Sequence, residues 1–381
     1  MSGFLRAAVP DPAVNICIPT HNNWPESVHR FTPESLWALD TAILTGRPLL
    51  IRGEPGIGKS QIARAAATVL NVPLLTHVVD ERTERDDLLY HYDAVARLAQ
   101  AQVSSLAAQS KPQKHDVQTE EQNEAEQQSQ AEQQTQTEQQ TQTEQNEVEP
   151  WREALQEQNF FRPGVLWWAL DWKDALDQAQ RFTKYCRPCT PPGEPTHLSE
   201  DSTSPCGPVV LIDEIDKADP AVPNGLLESL GSDGFRSSQL DRTVRVPEGG
   251  KRPLIILTTN EERELPAAFL RRCLVITVQF PDGIEAARKF LINDRARVWY
   301  DQQQISDRIC EKVAERVLQE RESVIRQRTA SVAKPGASEF LDLIHALVKW
   351  AENKSPDARE AVQEEALEII WKFALQKSAR D

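Results

Sequence analysis

The stretch from Leu49 to Ser60, LLIRGEPGIGKS, constrains this chain more than any other. An apolar run passes into a glycine-rich loop and then into a segment with Ile62, Ala65, Ala66, Val69 and Leu70 at helical spacing, which reads as strand, loop, helix. Gly53, Gly56 and Gly58 permit positive φ angles and close backbone approach, so that the loop can turn its N–H groups toward a polyphosphate. Gly53, Glu54, Pro55, Gly56, Ile57, Gly58, Lys59, Ser60 and Gln61 are therefore the expected phosphate cradle, with Lys59 on the outer phosphates and Ser60 as a Mg²⁺ ligand. The positive end of the following helix points at the same anion.

A second buried-type strand, Val209 to Asp213, ends in two carboxylates and leads into a helix carrying Val222, Leu226, Leu227 and Leu230. An acidic strand end beside a phosphate loop is a Walker B element: Asp213 can orient Mg²⁺ through its water shell, and Glu214 can activate the attacking water. A further strand, Leu254 to Thr259, delivers Asn260 to that edge, where it can hold the lytic water. Glu264 to Cys273 then closes a helix bearing Arg271 and Arg272, and Leu274 to Phe280 forms a last strand. Planar guanidinium groups suit a γ-phosphate; at a helix end they also serve as dipole or salt-bridge partners. Upstream, Thr32-Pro33 opens a helix with Leu36, Leu39 and Ile43 on one face, Gly46 ends it, and Val72 to Val79 makes another strand. This alternation predicts an α/β fold, a P-loop NTPase parallel sheet flanked by helices.

The 381 residues carry a formal charge of −15, which disfavours a general affinity for nucleic acid. No apolar run reaches the roughly 20 residues that span a bilayer, and the N-terminus lacks a basic-then-apolar signal, so a cytoplasmic location is expected. More than half of the excess charge lies between Lys111 and Pro150, where ten acidic residues face two lysines and EQQTQT repeats at Glu132 and Glu138. With almost no apolar residues, 111–150 reads as a disordered Gln/Glu/Thr-rich insertion. The six cysteines look like reduced thiols, yet Cys186 and Cys189 have zinc-knuckle spacing, which His197 and Cys206 could complete. Trp167, Trp168 and Trp172 admit two readings, core packing or an exposed patch that anchors a partner.

Taken together, GEPGIGKS, LIDEIDKAD, TTNEERELP and FLRRC resemble, in this order, the AAA+ ATPases. DLLYHYDAVARL and RPGVLWWALDW are similar to the hairpin inserted in helix 2 of their MoxR-like branch, and Gly234-Phe235 through Thr243 to Val246 is similar to the hairpin before sensor 1, the position of Asn260. The first thirty residues, rich in Pro and Asn and without a sustained period, read as an N-terminal arm (1–30) lying on the surface of the first domain. The resemblance implies an AAA+ core over 31–281, and the helical tail over 282–381, with Phe340, Leu343, Ile344, Leu347 and Trp350 periodic and Ser355-Pro356 starting another helix, resembles the family's all-α lid. The resemblance further implies ATP and Mg²⁺ as cofactors and a ring homo-oligomer, commonly a hexamer, with ATP bound between subunits. Arg272 is then the finger entering the neighbour's site, with Arg271 in reserve. It also implies a chaperone or remodelling role on a protein partner, which in such proteins often carries a von Willebrand factor A domain. The lid departs from the general pattern: no arginine starts the helix near Ala337-Ser338-Glu339, and Lys334 is the substitute for sensor 2. A competing class is a nucleotide-gated switch or scaffold in a signalling or defence assembly with slow turnover. A DNA-acting motor would need basic pore loops, and none is evident.

Overall fold

The computed structural model describes residues 4–21, 24–109, 153–193, 203–231, 233–237, 239–327 and 334–375. The chain opens with α1 (Phe4–Ala8) and an antiparallel pair, β1 (Ile16–Ile18) and β2 (Ser27–His29). This N-terminal segment keeps most of its described residues at the surface but inserts a few side chains into the core. Leu5, Val9 and Ile18 are buried among apolar side chains, and the Leu5 N–H donates to Asp40 Oδ1 at 2.7 Å. Helix α2 (Pro33–Thr45) starts as expected, with Thr32 and Ser35 capping each other and Gly46 ending it in the left-handed region. It feeds β3 (Leu49–Gly53), the phosphate loop and α3 (Lys59–Leu70), after which β4 (Leu74–Val78) enters the sheet.

The apolar residues Leu88, Leu89, Val95 and Leu98 after Asp87 read as one helical segment, but the structure breaks it in two. Helix α4 (Arg85–Leu89) gives way to β5 (Tyr90–Tyr92), and only then does α5 (Ala94–Gln109) begin. Alternating tyrosines favour a pleated strand, and a partner exists: β6 (Phe161–Pro163) pairs antiparallel with β5, closing the inserted hairpin. The segment 111–150, expected to be a disordered insertion, lies outside the described residues. After β6 come α6 (Val165–Leu170) and α7 (Trp172–Tyr185), followed by β7 (Val209–Asp213) and α8 (Ala221–Gly231). The second hairpin, β8 (Gly234–Ser237) with β9 (Arg242–Arg245), precedes β10 (Leu254–Thr259); α9 (Ala267–Arg272) and β11 (Leu274–Val278) complete the core.

The sheet is five-stranded and parallel throughout, in the order β11-β3-β10-β7-β4. Because side chains alternate across a strand, one face buries Leu50, Leu75, Val210, Ile212 and Leu257, and the other buries Leu49, Ile51, Leu74, Val209, Leu211 and Ile256. Helices α2 and α3 cover the second face. The first is covered by the inserted segment, whose Trp167, Trp168 and Trp172 are all buried there. The core-packing reading of these tryptophans holds, and the partner-anchoring patch is overturned. Trp167 Nε1 donates to Asp174 Oδ2 at 2.8 Å, and Trp168 meets Trp172 edge-on, so adjacent aromatics on a short helix both find apolar cover.

The remaining chain is a helical lid: α10 (Ile284–Lys289), a π-helical turn over Phe290–Ala296, α11 (Arg297–Trp299), α12 (Asp307–Gln327), α13 (Ala337–Ala351) and α14 (Pro356–Leu375). Phe340, Leu343, Ile344 and Leu347 are buried in its core as expected, but Trp350 is 66% exposed; Ala351 takes the inward place. The lid core also receives Ile57 of the phosphate loop, so the two parts share side chains at the site. No helix among the described residues is long and apolar enough to cross a membrane.

Candidate nucleotide site

Strands β3, β7 and β10 are neighbours, and their carboxyl ends place the phosphate loop, Asp213, Glu214 and Asn260 around one cleft of about 670 Å³. Open parallel sheets present ligand sites at this edge. The loop glycines are required by geometry. Gly56 has φ +73°, and a Cβ there would fall 2.0 Å from Ser338 Oγ at the start of α13. Gly53 has φ +152°, and a Cβ there would collide with the Val278 carbonyl of β11 at 2.3 Å.

Lys59 is 6% exposed and donates to the carbonyls of Gly53 (2.8 Å) and Glu54 (2.9 Å) and to Asn260 Oδ1 (2.7 Å). Burial pulls its pKa down, with the carboxylates of Asp213, Asp216, Glu214 and Glu261 opposing that shift. Ser60 Oγ donates to the Asp213 carboxylate at 2.8 and 2.9 Å, and Thr258 Oγ1 donates to the same group. These are hard oxygen donors, and among the described residues no cluster of three or more His, Cys, Asp or Glu could hold a metal by itself. That set fits Mg²⁺, which takes one or two protein oxygens and fills its octahedron with waters and phosphate oxygens.

Glu214 stands in the left-handed region at φ +60°, where a residue with a Cβ is strained. Its N–H donates to Thr258 Oγ1 at 2.9 Å. Its Oε1 accepts from Asn260 Nδ2 at 3.0 Å and its Oε2 from Lys217 Nζ at 2.6 Å. Asp216 is buried and accepts from the backbone N–H groups of Asn260 (3.4 Å) and Glu262 (2.9 Å), which fixes the loop after β10.

The other predicted residues separate. Ile57 is buried in the lid core, and Gln61 lines the cleft. Glu54 turns to the lid, meeting Arg321 Nη2 at 2.6 Å and Lys334 Nζ at 3.7 Å; Lys334, expected as sensor 2, is thus paired with the loop carboxylate. Arg271 and Arg272 are exposed, and since Leu274 pairs beside Leu49 they stand at the opposite end of the sheet from the phosphate loop. Their backbone is held by Arg47, which donates to the carbonyls of Arg271 (2.8 Å), Arg272 (3.1 Å) and Cys273 (2.9 Å).

The zinc constellation does not assemble. Cys189 packs against one face of the sheet and Cys206 is buried on the other, while His197 lies outside the described residues. Burial pushes the thiols of Cys186 and Cys206 up to about 11. Sequence reasoning missed Arg295, whose Nη2 donates to the Ile57 carbonyl at 3.0 Å beside Gly58, and the cleft wall built from Trp24 to Ser27, Trp299, Asp342 and His345. No periodicity marks these residues; they converge only through tertiary folding.

A family model, the AAA domain of the dynein-related subfamily, matches residues 48–163, under a third of the chain. The match supports an ATPase of the AAA+ kind. The AAA domain match begins just before β3 and ends at β6, so it covers the phosphate loop and the inserted hairpin; Asp213, Glu214 and Asn260 follow it in the sequence. No curated protein matches the chain.

Proposed function

We propose that this chain is a MoxR-like AAA+ ATPase of the cytoplasm that binds ATP with Mg²⁺, hydrolyses it, and works as a ring, most simply a hexamer, to remodel or activate a protein partner; a von Willebrand factor A domain is the partner module we favour. The observation that carries the reading is the chain of contacts from Lys59 through Asn260 to Glu214, with Ser60 on Asp213 beside it. Bound Mg²⁺ would supply charge neutralisation on the phosphates from Ser60 and Asp213. The chain's own residues do the rest. Lys59 would exchange its carbonyl and Asn260 contacts for phosphate oxygens, leaving the Asn260 carbonyl oxygen without its donor and free to orient a water. Glu214 would take that water's proton as its oxygen attacks the γ-phosphorus and the bond to the leaving ADP oxygen breaks. The exposed position of Arg271 and Arg272, far from their own loop, supports completion of the site by a neighbouring subunit. Phosphate release measured across protein concentrations tests this: specific activity should rise as subunits associate, and a concentration-independent rate would sink the shared-site reading. The tether on Glu214 favours a second reading, a slow nucleotide-gated switch, which single-turnover kinetics with negligible cleavage would establish.

A further inference from the structure

Both oxygens of the Glu214 carboxylate accept protein donors, and the two donors differ in what can release them. Asn260 is tied to Lys59, so a polyphosphate that captures Lys59 loosens that link. Among the described residues, Lys217 has no hydrogen bond or ion pair to the phosphate loop. It follows Glu214 by three residues on a short 3₁₀ turn, Ile215–Lys217, and its ammonium sits 2.6 Å from Glu214 Oε2. The turn is anchored from the sensor loop: Asp216 holds the N–H groups of Asn260 and Glu262, and Arg263 Nη1 donates to the Lys217 carbonyl at 3.3 Å. Arg263 is itself paired with Glu81 at the protein surface (3.5 Å).

We propose that Lys217 is a positioning residue that restrains Glu214 in the resting subunit, compensating the carboxylate charge and drawing it toward the turn, so that nucleotide binding alone does not free the base. This rests on the reading of Glu214 as the base that takes the water proton. Release requires the turn to shift, and its outer anchors, Lys217, Arg263 and Glu81, lie where another subunit or a partner can press on them. The ion pair fixes the side-chain torsions and holds the carboxylate toward the turn, away from the cleft where the water must sit. The restraint therefore suppresses kcat without touching the phosphate cradle.

The test is steady-state hydrolysis by the full chain carrying Lys217→Ala, with Lys217→Gln as a second variant that keeps a similar volume. Both should raise basal kcat several-fold with KM for ATP unchanged, and Lys217→Arg, which keeps the cation, should return the rate to its low value. A merely structural role would not produce that split between kcat and KM. An unchanged or lower kcat in both neutral variants, with melting profiles intact, overturns the restraint. The double variant Lys217→Ala with Glu214→Gln should be inactive. Should it or Glu214→Gln alone turn over normally, the base assignment has failed, which is a separate result from failure of the restraint.

Discussion

Lys59 Nζ, at the start of α3, lies 2.7 Å from Asn260 Oδ1, so the buried ammonium beside the phosphate loop is partly satisfied by the amide just past β10. A buried ammonium has three protons to place, and the fold provides acceptors from two loop carbonyls and this amide. The same amide donates to Glu214, so the occupancy of Lys59 and the freedom of Glu214 are linked through one side chain. On the proposed reading, the residue that would bind phosphate and the residue that would activate water are thereby coupled within a few ångströms, with no need for a long-range path.

Three substitutions should separate along that chain of contacts. Lys59→Ala removes a charge from the phosphates and should weaken ATP binding, whereas Glu214→Gln keeps the pocket, binds ATP and loses hydrolysis by about 10²-fold or more. Asn260→Ala should bind ATP and fall between the wild type and Glu214→Gln in kcat. Equilibrium binding of a fluorescent ATP analogue together with phosphate release distinguishes the three, and normal turnover by Glu214→Gln would reject the assignment of the base.

The lid is fastened to the phosphate loop by Glu54. Arg321, whose side chain is 12% exposed, also donates to the Pro335 carbonyl at 3.2 Å and stacks over Phe280 at 4.2 Å, while Arg295 and Ser338 touch the loop at Ile57 and Gly56. Arg321→Ala should therefore loosen the lid more than Glu54→Gln, because it removes the ion pair, a carbonyl partner and apolar cover together. Hydrogen exchange should quicken across 337–347 in both variants, further in Arg321→Ala. Equal exchange in the two would mean that only the ion pair matters.

Trp167 and Trp350 give opposite expectations for stability. Trp167 is fully buried, donates to Asp174 Oδ2 and lies under the Arg242 guanidinium at 4.6 Å, so Trp167→Ala leaves a cavity and takes one donor from a carboxylate that keeps Arg242, and should cost about 3–5 kcal/mol. Trp350→Ala, at an exposed helix end, should stay within about 0.5 kcal/mol. Urea denaturation followed by circular dichroism compares them directly.

How far the sequence reveals this architecture depends on whether a residue's role is local. The strand ending at Asp213, the helix starting at Lys59 and the cap at Thr32 each carry their signal within a few residues, and the structure has them where the spacing puts them. Asn260 is legible for the same reason: it ends an apolar run that must pair beside β3. Arg295, Trp24 and His345 reach the cleft from separate elements, and no local pattern distinguishes them from solvated side chains. Trp350 misled because periodicity marks a face without saying how wide the covered stripe is. The exposed-tryptophan reading failed because α6 is covered from several directions, so that a side chain turned away from the sheet is buried as well.

The shared-site reading makes a final, sharper demand. Arg47 pins the carbonyls at the end of α9, and the Arg271 and Arg272 side chains are exposed at the end of the sheet remote from their own phosphate loop. If Arg272 acts across a subunit boundary, Arg272→Ala rings should bind ATP with normal affinity and lose about 10³-fold or more in rate, the contribution of a guanidinium at a γ-phosphate. Lys59→Ala rings fail for the opposite reason, since their fingers are intact and their cradles are not. Mixing the two inactive proteins should therefore create interfaces that join an intact cradle from one chain to an intact finger from the other, and activity should reappear in proportion to such interfaces. Arg271→Ala mixed in the same way shows whether the neighbouring arginine carries the role instead. Recovery with neither arginine variant, in mixtures shown by sedimentation to exchange subunits, would mean that the pair anchors its own helix end and that each site is complete within one chain.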